Sequence, residues 1–131
     1  MNKKYLSKII ATDNEGLQVI SACCSGAEVK VDEIKYLQSN KVFLLSLNRS
    51  KLETDEKDKK VTSICKFEFV DKVKSKNIKQ NDPEEKLELI GIDHLKNNDN
   101  YEINLIFTNN AYITLSTEII EVTLDDQNKA D

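Results

Sequence analysis

The chain has 131 residues, 39% of them hydrophobic and 32% charged, and a formal net charge of −4. That length suits a single domain over residues 1–131, large enough to bury a core without metal or disulfide staples. The acidic balance excludes a general binder of nucleic acid or of acidic membrane, since both repel such a chain overall, though a local basic face is compatible with it.

Lysines outnumber arginines eighteen to one, with one proline and three glycines. Bias spread over a whole domain is what an AT-rich genome produces, so the lysines as a class carry little functional information. The N-terminal Met1–Tyr5 is basic but is followed by no apolar run of signal-peptide length. No apolar stretch approaches the roughly 20 residues that span a bilayer. Cys23, Cys24 and Cys65 are odd in number and two are adjacent, a poor disulfide framework. The expected setting is a reducing cytoplasm, with no membrane contact.

In chain order, Tyr5–Ala11 reads as a short strand. Asp13 is an N-cap, and Leu17, Ile20, Ser21 and Cys24 recur at helical spacing, predicting a helix from Asn14 to Cys24 that ends near Gly26. Val29–Leu37 alternates imperfectly and Val42–Leu47 is apolar. With Gln38–Lys41 between them, the two predict a hairpin. Asn48–Lys60 is charged, and an exposed loop is expected at about residues 50–60.

Val61–Val73 alternates most clearly, with Ser63, Cys65, Phe67 and Phe69 on one face. Lys74–Glu85 contains the only proline, Pro83, and reads as a loop. Leu87–Ile92 is a strand, and Asn97–Asn100 is a turn. Tyr101–Phe107 and Ala111–Leu115 form a second hairpin about Asn109-Asn110. Thr117 could cap a short helix over Glu118–Leu124, where Ile120 and Leu124 have helical spacing. Asp125–Asp131 reads as a polar tail.

The resulting fold class is α+β. It is a curled, mainly antiparallel sheet of about seven strands, with a helix between strands one and two and a short C-terminal helix. A rolled sheet closed by a C-terminal helix is also the arrangement of pleckstrin-homology-like domains, an analogy of fold alone.

Several stretches together resemble one family. They are Leu17-Gln18-Val19-Ile20-Ser21-Ala22, Ile34-Lys35-Tyr36-Leu37, Leu47-Asn48-Arg49, and Phe67-Glu68-Phe69-Val70 with Val73 and Ile78. Leu87-Glu88-Leu89-Ile90-Gly91-Ile92 and the run from Glu102 through Ile120-Glu121 complete the set. In this order they are similar to domain-of-unknown-function family 2948, small uncharacterised proteins of alphaproteobacteria. The resemblance implies no activity and supplies no catalytic residue. Leu52 stands where that family's pattern leads one to expect an aromatic, and the pattern requires no cysteine at 23 or 24.

Among individual residues, Arg49 stands out as the one arginine, beside Asn48 in the family-like pair. Its planar fork suits a bidentate carboxylate or phosphate contact. The structural alternative is an internal ion pair, for which Glu68, Glu88 and Glu121 are the candidate partners. Lys72, Lys74 and Lys76 share a parity, with Lys79 nearby, and form a basic strip. It is either an anion-binding face or a strand edge blunted by lysines. Phe67 and Phe69 have the opposite parity, so they do not interleave with the lysines as a base-stacking platform would.

The cysteines lack redox or zinc spacing. His94 is the only histidine, and a dyad with Cys65 would need the fold to join them. The acidic residues of Leu52–Asp58 and Asp125-Asp126 lack calcium-loop spacing and read as solvated. Gly16, Gly26 and Gly91 are too scattered for a phosphate loop.

The expectation is a non-catalytic binding or protein-interaction domain, without cofactor or metal. It would use a strand edge, which also suits self-association, or the barrel mouth near Arg49. The alternatives are an anionic-metabolite binder or enzyme anchored on Arg49, and nucleic-acid binding through Lys72, Lys74 and Lys76.

Overall fold

The computed structural model describes residues 7–50, 60–79 and 81–127. β1 (Lys8–Ala11) leads into α1 (Asn14–Cys24), the predicted helix with its predicted bounds. The Asp13 carboxylate accepts a 2.8 Å hydrogen bond from the Gly16 N–H, satisfying a donor that the first turn leaves without a partner. Leu17, Ile20, Cys23 and Cys24 are buried, which places the helix's apolar stripe in the core. Gly26, at φ +85°, turns the chain out of the helix in the left-handed region that glycine adopts without strain.

The strands follow as β2 (Glu28–Lys30), β3 (Ile34–Leu37), β4 (Val42–Ser50), β5 (Lys60–Phe67) and β6 (Val70–Lys76). Then come β7 (Lys86–Asn97), β8 (Asn100–Phe107), β9 (Tyr112–Thr117) and β10 (Val122–Asp126). All pairings are antiparallel, and the order is β1-β10-β5-β4-β2-β7-β8-β9-β6, with β3 also on β4.

Among the described residues, ten strands replace the expected seven or so because three predicted elements divide or change type. The run Val29–Leu37 is interrupted by a 3-10 turn at Val31–Glu33. The turn shifts the parity by one residue, so Val29 faces inward before it, Val31 opens it buried, and Ile34 and Tyr36 face inward after it. The hairpin of β3 and β4 forms as expected, Ile34 opposite Leu45 and Leu37 opposite Val42. The run Val61–Val73 is broken by a tight turn at Glu68-Phe69. Ser63, Cys65 and Phe67 are buried as the alternation required, but Phe69 is 39% exposed and sits at φ +60°.

The expected C-terminal helix is the strand β10. Its inward residues follow a period of two, Ile120, Val122, Leu124 and Asp126, all buried. Ile120 and Leu124 also fit a helix, but Val122 and Asp126 fit only a strand, and β-branched side chains favour it. The helix that prompted the pleckstrin-homology comparison is therefore absent. Asp125 and Asp126 close this strand rather than open a polar tail, and the rest of the tail from 128 onward lies outside the described residues. The charged loop expected at about 50–60 falls mostly outside them too, between the end of β4 and the start of β5.

The second hairpin forms about Asn109 and Asn110, both at positive φ (64° and 58°) as asparagine tolerates. The core runs along the inner face, with Phe43 and Phe67 in tilted contact at 6.0 Å and Phe107, Leu105 and Leu115 fully buried. A bulge in β7 between Leu89 and Gly91 bends that strand. Just beyond it the Ile92 N–H donates to Ser21 Oγ on α1 at 2.9 Å, docking the helix on the sheet.

The curl brings the two ends of one strand series face to face. From β4 the sheet runs through β2, β7, β8 and β9 to β6, while β3 lies on β4. β6 then returns alongside β3. The Val70 N–H donates to the Lys41 carbonyl at 2.8 Å, and Tyr36 Oη donates to the Val70 carbonyl at 2.8 Å. Among the described residues, no ladder pairs β3 with β6.

Candidate functional site

Arg49 and Asn48 are neighbours on β4, and successive strand residues point to opposite faces. Arg49 points inward and is completely buried, whereas Asn48 is exposed. The pair therefore does not form one site. The guanidinium donates from Nε to Ser63 Oγ (3.0 Å), from Nη1 to the Ser50 carbonyl (3.3 Å) and from Nη2 to Asp126 Oδ1 (3.0 Å). Ser63 Oγ donates to the same carboxylate oxygen at 2.6 Å, and the Ser7 N–H donates to Asp126 Oδ2 at 2.8 Å. Among the described residues the carboxylate that pairs with it is Asp126, not Glu68, Glu88 or Glu121.

Burial alone would raise the Asp126 pKa. The Ser63 and Ser7 hydrogen bonds, with the Arg49 guanidinium, outweigh it and hold the carboxyl below its ordinary value of 3.8. The network joins β4, β5 and β10 and leaves the guanidinium no solvent face. A sequence signal for it did exist: the alternation that makes β10 a strand continues one step further, to Asp126.

On the other face, Asn48 borders a polar groove of about 220 Å³ with Glu28, Lys30, Glu33, Ser46 and Thr62. Acids and a lysine mixed over an exposed sheet face give no convergent charge. Lys72, Lys74 and Lys76 are all exposed on β6, as the shared parity required, and Lys79 follows in the loop after the strand. Phe67 is buried and Phe69 belongs to the turn, so no aromatic interleaves with the lysines.

Cys65 and Cys24 are both buried, free thiols. His94 is half-buried within β7, with its ring 6.5 Å from Tyr101. β5 and β7 are separated in the sheet by β4 and β2, so Cys65 and His94 serve different parts of it. Among the described residues, no group of three or more His, Cys, Asp or Glu side chains is placed to hold a metal.

What the residue-by-residue reading missed is a cavity of about 350 Å³ in the gap between β3 and β6. Val31, Ile34, Val73, Ile78, Pro83 and Ile113 line it, with Asp32 and Ser75 as the polar members. Nearby, Tyr36 Oη on β3 donates to the Val70 carbonyl at the start of β6, and Val31 and Asp32 donate backbone hydrogen bonds to the Glu85 and Pro83 carbonyls. No single stretch of sequence carries this slot, because it exists only where the curl brings β3 and β6 together.

Fold and slot together define a strand-rich α+β domain with one α-helix among the described residues and a recess lined mainly by apolar side chains. No helix among those residues is long and apolar enough to cross a membrane. Over residues 7–131 the chain matches the family described as Protein of unknown function (DUF2948), and it belongs to that family. No curated protein and no solved structure matches the chain.

Proposed function

We propose that this chain is a non-catalytic protein-interaction domain whose contact site is the slot between β3 and β6. The observation that carries the reading is the gap itself. The series of strands curls until β3 and β6 face each other, then leaves between them an apolar recess in place of a ladder. Apolar concave sites with few polar groups are where proteins take ligands and partner side chains. The reading is supported further by the Arg49 network, which turns that guanidinium inward and leaves an Arg49-anchored metabolite site little to stand on.

The test is amide chemical-shift mapping on the full chain, titrated with short extended apolar peptides. Shifts clustered at Ile34, Tyr36, Val73 and Ile78 are expected. Shifts confined to the Asn48 groove, or to Arg49 and Ser63, would move the site elsewhere.

A further inference from the structure

We infer that the slot receives an extended peptide segment alternating apolar and acidic residues, added as a strand between β3 and β6; this rests on the slot reading above. Parity carries the inference. On β3, Ile34 and Tyr36 face in while Lys35 and Leu37 face out. On β6, Val73 stands opposite the buried Leu115 and Ser75 opposite the buried Ile113, so both face in. The same register sends Lys72, Lys74 and Lys76 outward. Both flanking strands therefore present apolar residues to the recess and lysines to solvent.

A strand laid between them would bury every second side chain beside Val73 and Ile34. It would set the others against Lys35 on one side and Lys72 and Lys74 on the other. Opposite charges directly across strands stabilise the pairing and like charges oppose it. Of β6, Lys72 through Lys74 offer the edge; Ser75 is already engaged.

Two further observations narrow the occupant. Among the described residues, the one charged side chain lining the recess is Asp32, which repels an anionic head group inside it, so a fatty acid or a small carboxylate fits poorly. A peptide instead brings neutral backbone donors and acceptors to the strand edges, the mode of strand addition. Acids stand at both ends of the slot, Asp71 and Glu118 pairing with Lys41 at the Val70 end. Asp82 and Glu84 are exposed at the Pro83 end, and Glu84 pairs with Lys30 at 3.8 Å. The acidic positions of the segment therefore belong beside Lys72 and Lys74, not beside Pro83.

The experiment titrates the full chain with two end-blocked peptides, one alternating valine with glutamate and one alternating valine with serine, read by amide chemical shifts. The valine–glutamate peptide is expected to shift Ile34, Tyr36 and Val73 and to weaken with added salt. The double variant Lys72→Glu/Lys74→Glu should keep the free protein's spectrum and weaken that peptide about tenfold or more. Equal binding of the valine–serine peptide at the same residues overturns the acidic partner while leaving the slot reading intact. Silence of Ile34 and Val73 with both peptides overturns the inference and the slot reading together. Shifts at the lysines with short RNA or DNA, and none with peptide, replace the peptide by nucleic acid. A peptide-free dimer that the double variant dissociates assigns the slot to a second copy of the chain.

Discussion

Arg49 and Asp126, 77 residues apart, meet at 3.0 Å with both side chains fully excluded from solvent. The bond ties β4 to β10 through β5, whose Ser63 hydroxyl joins the same carboxylate oxygen. It places the chain's one arginine in the frame of the fold. A buried pair is not in itself strongly stabilising, because desolvation opposes the Coulomb gain, but breaking one is costly.

Asp126→Ala should therefore destabilise the protein by about 3–5 kcal/mol, since it removes a buried carboxylate paired with a buried guanidinium. Arg49→Met, which leaves the carboxylate its Ser63 and Ser7 bonds, should cost less. The double variant should cost less than the two single losses added together. Urea unfolding of the four proteins measures all three differences.

The pH dependence follows from the same carboxylate. Its pKa in the fold lies below the ordinary 3.8, so the folded state takes up this proton less readily than the unfolded chain. Its stabilising contribution is complete above about pH 4 and is lost as pH falls through the folded value. Unfolding free energy should drop on acidification below pH 4, and Asp126→Asn should flatten that slope.

Phe69 holds φ at +60°, where a bulky residue costs about 1–2 kcal/mol relative to ordinary backbone. Phe69→Asn, a residue that tolerates the left-handed region, should raise the melting temperature by a few degrees, corresponding to about 1 kcal/mol. Phe69→Val, β-branched and worse placed there, should lower it. Thermal melts of both variants decide the point, and an equal fall in both would show that the ring's partial burial outweighs the strain.

The Cys65 thiol is raised well above its ordinary 9.0, first by the neighbouring Cys24 thiol and then by burial. A thiol held neutral and out of solvent is a poor nucleophile. Alkylation of Cys65 at pH 8 should be negligible in the native protein and appear only as the chain unfolds in urea. Peptide mass mapping of labelled Cys65 along the unfolding curve measures this.

Local chemistry explains what was legible in the sequence. Asp13, the apolar spacing of Leu17, Ile20 and Cys24, and Gly26 are all read within a few residues, so α1 and its bounds were expected as found. The two hairpins follow from apolar runs joined by Gln38–Lys41 and by Asn109-Asn110. The breaks were harder to see. A 3-10 turn at Val31–Glu33 and a left-handed Phe69 contradict local preference, and are imposed by strands that must turn where the sheet curls.

By itself the sequence determined the α+β class, the helix, the hairpins, and the lysines' common face on β6, because each depends on a period of two or 3.6 along a short stretch. Only the tertiary structure decided that Val122–Asp126 is a strand, that Asp126 is Arg49's partner, and that β3 and β6 enclose an apolar slot. Each of these joins segments tens of residues apart. The forces that select them, burial of a continuous core and neutralisation of a buried charge, act between faces that meet only once the sheet has curled.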